Sequence, residues 1–246
     1  MSRSKATAIG TLVLISASTH VSAQSANTAR PLASATQGVR TAAAPSLPAV
    51  TVPANGVSLR IPYLRNHCRL DDKVAFDKTL IDSIGKNFTS GPILLATVDC
   101  QALKRGRAGD ESGGLEATFV ASTADRTTNA SPRAEYAKQA CDAVSRAPGF
   151  IQLSGAPKDK IAELQNRSTA ADSRTMAALN TTRRACYVGS IIRSGDALIS
   201  QTIATTLVKG QRLTLTTISV NGTALPALVD KAGQLVTELS KANGEG

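Results

Sequence analysis

Cys68, Cys100, Cys141 and Cys186 are the residues whose type gives them the widest choice of chemistry, as disulfide partners, metal ligands or nucleophiles. A zinc site needs thiolates paired a few residues apart so that a short turn can wrap the ion, and these four stand far apart. No metal and no cofactor is therefore expected. A reactive thiol needs a flanking partner or Cys-x-x-Cys spacing to hold its thiolate, which is equally absent. Disulfides remain. Four cysteines allow three pairings, and Cys68 with Cys100 and Cys141 with Cys186 is favoured. The first would tie the end of an opening strand to the end of the next strand, and the second a helix face to a nearby strand.

His67 is the one histidine beyond residue 23, and it precedes Cys68. With Gly109, Asp110, Glu111, Ser112, Gly113 and Gly114 it resembles the His-Cys and Gly-Asp-Ser-Gly-Gly segments of chymotrypsin-like proteases. The match fails on three counts. Glu111 interrupts the serine motif, the His-to-Ser separation is too short to wrap two barrels, and Arg65 and Asn66 stand where small residues belong. Asp71 with Asp72 and Asp110 with Glu111 are sequence neighbours, which fixes neither the separation nor the burial that acid–base work requires. No phosphate loop, dinucleotide fingerprint or zinc-protease helix is present. Accordingly no catalytic set is assigned. A hydrolase using His67 with a nearby Ser or Asp, or a free Cys68, is the alternative.

The elements that must position these residues follow an export signal. Arg3 and Lys5 start the chain, an apolar run covers 9–15, and Val21, Ser22 and Ala23 make a small-residue exit. This is a secretory leader with cleavage expected after Ala23, too short and too soon interrupted to span a membrane. Removing 1–23 leaves 26 Lys and Arg against 18 Asp and Glu. Such a basic chain is drawn to acidic surfaces, so an association with anionic lipid or polymer is a further expectation. Nucleic acid is not an expected partner, because aromatics make up 3% of the chain and only Lys104, Arg105 and Arg107 cluster, as a possible basic surface read as a solvated loop.

Residues 24–56 are Ala, Ser, Thr, Pro and Val without a period, the composition of a disordered tether. One domain is expected over 57–246. Alternation over 57–63 predicts a strand, a stripe of Phe76, Leu80, Ile81 and Ile84 a helix ended by Gly85, and 93–98 and 115–121 two strands joined by a glycine-rich loop. Ser131-Pro132 predicts a helix start that places Cys141 on a buried face, and 156–180 reads as broken helix. Extended segments follow at 185–192, 198–208 and 212–220. Burial on one face favours a three-residue hairpin loop ending at Gly210, with Ile203 opposite Leu215 and a bulge near Thr216 or Thr217; a two-residue loop of Lys209 and Gly210 would instead set Leu207 opposite Arg212. Pro226 opens a last helix with a stripe of Leu228, Ala232, Leu235 and Leu239. The fold class is therefore α+β, an antiparallel sheet covered by helices.

The opening Val57-Ser58-Leu59-Arg60-Ile61-Pro62, the hairpin around Lys209 and Gly210 and the closing helix resemble the PsbP-like superfamily. A strand-Cys start and the Val98-Asp99-Cys100 ending are similar to small secreted proteins of alphaproteobacteria. This resemblance implies an α/β/α sandwich and docking roles without catalysis. Together these readings predict a periplasmic or secreted, non-catalytic protein that binds an envelope or secreted protein partner or assists assembly, without a transmembrane span in the mature chain.

Overall fold

Seven antiparallel strands in the order β3-β4-β5-β9-β8-β7-β6 form the sheet of the computed structural model, which describes residues 46–88, 91–110, 113–122, 132–168, 173–194 and 196–245. The strands are β3 (His67–Arg69), β4 (Ile93–Asp99), β5 (Leu115–Ser122), β6 (Arg174–Thr181), β7 (Ala185–Ser194), β8 (Ala197–Val208) and β9 (Gln211–Val220), and a separate hairpin pairs β1 (Ala49–Ala54) with β2 (Val57–Pro62). The helices are α1 (Ala75–Phe88), α2 (Cys100–Arg107), α3 (Arg133–Arg146), α4 (Pro157–Arg167) and α5 (Leu225–Ala242). The fold class is the expected α+β. The expected leader at 1–23, the first part of the expected tether, Ser112 and Ser131 lie outside the described residues.

Strand parity sorts the layers. On one face Val98, Ala117, Phe119 and Ile218 pack against α1 and α2, while Cys186, Val188 and Ile203 meet α3. The opposite parity, with Leu95, Val120, Ala204, Leu213 and Leu215, packs under α5 and the β1–β2 hairpin. Further along that face, Ala177, Leu179 and Ile191 meet α4. Both faces are covered. The α5 stripe of Leu228, Ala232, Leu235 and Leu239 is fully buried, as its spacing predicts.

Double coverage explains why the favoured hairpin register is not the one adopted. Thr205 faces Thr214, Leu207 faces Arg212 and Ile203 faces Thr216, and the pairing runs through Thr216 and Thr217 without a bulge. A one-residue slip exposes nothing when both faces are buried, so burial does not choose between registers. The turn does. Lys209 and Gly210 have φ of 48° and 71°, the two-residue geometry whose twist matches that of paired strands. The same geometry recurs at Asn55 and Gly56, with φ of 47° and 80°. That turn shortens the expected tether: Ala49–Ala54 pairs with Val57–Pro62 through it, despite a composition that reads as spacer.

Three other expectations are corrected. The segment between β4 and β5 contains α2, whose first turn is capped by Asp99 accepting from the Gln101 and Ala102 amides at 3.0 Å each. Residues 156–180 divide into α4 and the edge strand β6, where Thr175, Ala177 and Leu179 alternate into the core. The helix predicted to end at Gly85 runs on to Phe88.

Candidate functional site

Each favoured cysteine pair is a disulfide. Cys68 bonds Cys100 with Cα atoms 4.9 Å apart, and Cys141 bonds Cys186 at 5.3 Å. Cys68 sits in β3 rather than at the end of the opening strand, and Cys100 begins α2, so this bond ties an edge strand to the adjoining helix. The second bond pins α3 to β7 at the fully buried Cys186. No cysteine is free, which removes Cys68 as a nucleophile.

The Lys104, Arg105 and Arg107 cluster occupies the last turn of α2 and not a loop, where cations complement the helix dipole. Arg107 is committed to Asp77. Its Nε and Nη2 donate to the fully buried carboxylate at 2.9 and 2.5 Å. That guanidinium, opposed by burial, holds the Asp77 carboxyl below the usual range. Lys104 stays exposed and Arg105 half-buried.

His67 is buried in a closed polar network that joins β3, β4, β5 and α5. Its Nδ1 lies 3.3 Å from the Thr97 hydroxyl and its Nε2 lies 3.3 Å from Glu116 Oε1. Lys231 Nζ donates to both Glu116 oxygens at 2.6 and 2.7 Å, and the Thr223 hydroxyl donates to Oε2 at 2.6 Å. Burial raises the Glu116 pKa, but donation from His67, Lys231 and Thr223 outweighs it and brings it down to about 2. Such a carboxylate is a weak base. Among the described residues the ring partners of His67 are Thr97 and Glu116, not a Ser or an Asp; Ser112 lies outside the described residues. Asp99, the carboxylate paired with His67 in the strand register, instead caps α2 and accepts from Asn66 at 3.2 Å.

A second polar cluster is open. Arg133 from the start of α3, Arg183 and Arg184 from the β6–β7 turn, Tyr187 from β7, Thr237 from α5 and Glu245 line a cleft of about 640 Å³. The turn is set by Thr182, whose hydroxyl accepts from the Arg184 and Ala185 amides at 3.1 Å each. Arg133 Nη1 donates to Ser240 Oγ at 2.9 Å and to the Glu245 carbonyl at 3.3 Å, while Nη2 pairs with the Glu245 carboxylate. Burial, helped by the charge of Arg184, lowers the pKa of Arg133. Close by, Arg212 lies over the Tyr136 ring at 5.6 Å. Another cavity, of about 680 Å³ between α1 and the start of β4, has Asp82 and Lys86 on its wall, and Asp82 is already paired with Lys78.

Of the two polar clusters, only His67 stands out in the sequence. Arg183-Arg184 between two extended segments is a visible basic pair, whereas Glu116 and Lys231 meet across 115 residues with no local signal. Among the described residues, no helix is long and apolar enough to cross a membrane. No family model matches the chain, and no curated protein matches it.

Proposed function

We propose that this chain is exported and works in the cell envelope as a non-catalytic binding or assembly module. The observation that carries the reading is the pair of closed disulfides, one at β3 and one at β7, which persist in an oxidising compartment and not in a reducing one. The enclosure of His67 supports it further: the residue with the clearest acid–base potential has its ring nitrogens engaged by Thr97 and Glu116. The PsbP-like relationship is kept as part of the same proposal.

Fractionation of the native host, followed by alkylation without reduction and mass spectrometry, tests this directly. The expected result is a chain outside the cytosol beginning at Gln24, with four blocked cysteines. Protein retained in the cytosol with residues 1–23 attached and free thiols overturns it. Crosslinking in the intact envelope should then recover a stoichiometric protein partner.

A further inference from the structure

Among the described residues, the cleft at the β6–β7 turn carries more positive charge than the fold neutralises. There Arg133, Arg183 and Arg184 face one carboxylate, Glu245, and that carboxylate pairs with Arg133. Among the described residues, neither Arg183 nor Arg184 has a carboxylate partner, and Arg183 is exposed on the turn. Gathering like charges costs energy unless an anion completes the set.

The way Glu245 is held shows which anion suits the place. Arg133 reaches the carboxylate with one amino group and the backbone carbonyl of the same residue with the other. From the opposite side, the Lys209 amide of the β8–β9 turn donates to Oε1 at 2.5 Å. A side-chain carboxylate and a main-chain carbonyl are thus bound together, which is recognition of an acidic residue within a peptide rather than of a bare ion. The volume, about 640 Å³, lies in the range of ligand pockets and exceeds what one carboxylate fills. Arg183 and Arg184 border it, placed for a second acidic side chain.

We propose that this cleft is a recognition site for an acidic peptide segment of a partner protein, and that Glu245 is its intramolecular competitor. The incoming segment places one carboxylate on Arg133 in exchange for Glu245 and a second on Arg183 and Arg184. Exchange releases the Glu245 amide from the Ser240 carbonyl, 2.9 Å away at the end of α5, and the Glu245 carboxylate from the Lys209 amide. The end of α5 is tied to β2 independently, through Asn243, which accepts from the Arg60 amide at 3.0 Å and donates to the Arg60 carbonyl at 2.8 Å. Only the chain beyond it, through Gly244 at φ 75°, needs to swing away. The inference rests on the binding role proposed above, but it is tested on the purified protein, so its failure is distinct from a failure of export.

Fluorescence anisotropy of labelled hexaglutamate, titrated with the full chain carrying both disulfides, is the experiment. Binding that weakens as salt rises is expected. Glu245→Gln should tighten it about threefold by removing the competitor, and Arg183→Gln with Arg184→Gln should weaken it about tenfold or more, the worth of a charge-assisted contact. Lys73→Gln with Lys104→Gln, which removes the same charge from exposed positions away from the cleft, should change it less than about twofold. Absence of binding, no tightening by Glu245→Gln, or equal weakening by the two double variants overturns the proposal. So does phosphatidylglycerol-vesicle binding that depends on Arg183 and Arg184 while hexaglutamate does not bind, or displacement of the peptide by inorganic phosphate as readily as by triglutamate.

Discussion

The two disulfides anchor two polar corners that are built from the same materials and end in opposite states. Beside Cys68, the His67 corner brings Glu116 together with Lys231, Thr223 and Thr97, and each charge meets its complement. Beside Cys186, the Arg133 corner brings three guanidiniums to one carboxylate among the described residues. A buried charge is tolerated when paired and hydrogen-bonded, so the first corner is satisfied within the fold and breaking it by removing one partner is costly. The second leaves cationic excess at an open cleft, where solvent screens part of its cost and a partner's carboxylates would complete the set. Neutrality separates structure from recognition here better than residue type does.

Cutting each disulfide gives the largest effect and the strongest challenge to that contrast. The bonds close separations of 32 and 45 residues, so replacing either pair with serine should cost about 4 kcal/mol in the chain-entropy account, measured by denaturant unfolding. The costs are alike but the binding consequences differ. Loss of Cys141–Cys186 frees α3 and with it Arg133, and should abolish hexaglutamate binding. Loss of Cys68–Cys100 should leave binding intact in the molecules that remain folded. Equal loss in both would dissolve the distinction.

Acid should then separate the corners by their stability. Glu116 has its pKa lowered from 4.5 to about 2 in the folded chain, so its contribution is fully present above 4.5 and disappears as pH falls through 2. The shift corresponds to about 3 kcal/mol lost across that window. Glu116→Gln should remove most of this dependence and lower stability at neutral pH, whereas Arg183→Gln with Arg184→Gln should move neutral stability by less than about 0.5 kcal/mol. Thermal unfolding at pH 7, 4.5 and 3 reads both arms. A wild-type acid profile retained in Glu116→Gln would show that the closed corner contributes nothing.

How far the sequence reveals these features depends on whether their cause is local. The stripe of α5 and the cysteine pairing are legible because a helix period and a disulfide between element ends each need only one correct neighbour. β1 is marked by Asn55-Gly56, a strong hairpin signal masked by the surrounding Ala, Pro and Ser. β6 is not legible by propensity, since Met176, Ala177, Ala178 and Leu179 favour helix and become a strand because β7 offers an edge and α4 covers Ala177 and Leu179. Neither polar corner could be assembled without topology. Glu116 meets Lys231, and Arg133 meets Ser240, only after the strand order is known.

The Lys209–Gly210 turn supplies the smallest and most selective prediction, because one peptide there serves both the hairpin and the cleft. Gly210 holds φ of 71°, a conformation a Cβ disfavours, while no atom stands within 4 Å of where that Cβ would go. Gly210→Ala should therefore cost only the backbone strain, about 1 kcal/mol, with no packing penalty. Reduced strain in a shifted turn would move the Lys209 amide away from Glu245 Oε1 and the Lys209 side chain away from the Ser58 carbonyl, 3.1 Å distant. Weakening of the internal competitor should partly offset the weaker cradle, so hexaglutamate affinity changes little while Glu245→Gln no longer tightens it in this background. Full retention of the Glu245→Gln effect in Gly210→Ala would mean that Arg133 alone holds the competing carboxylate, and would transfer the recognition assigned to the hairpin turn onto α3.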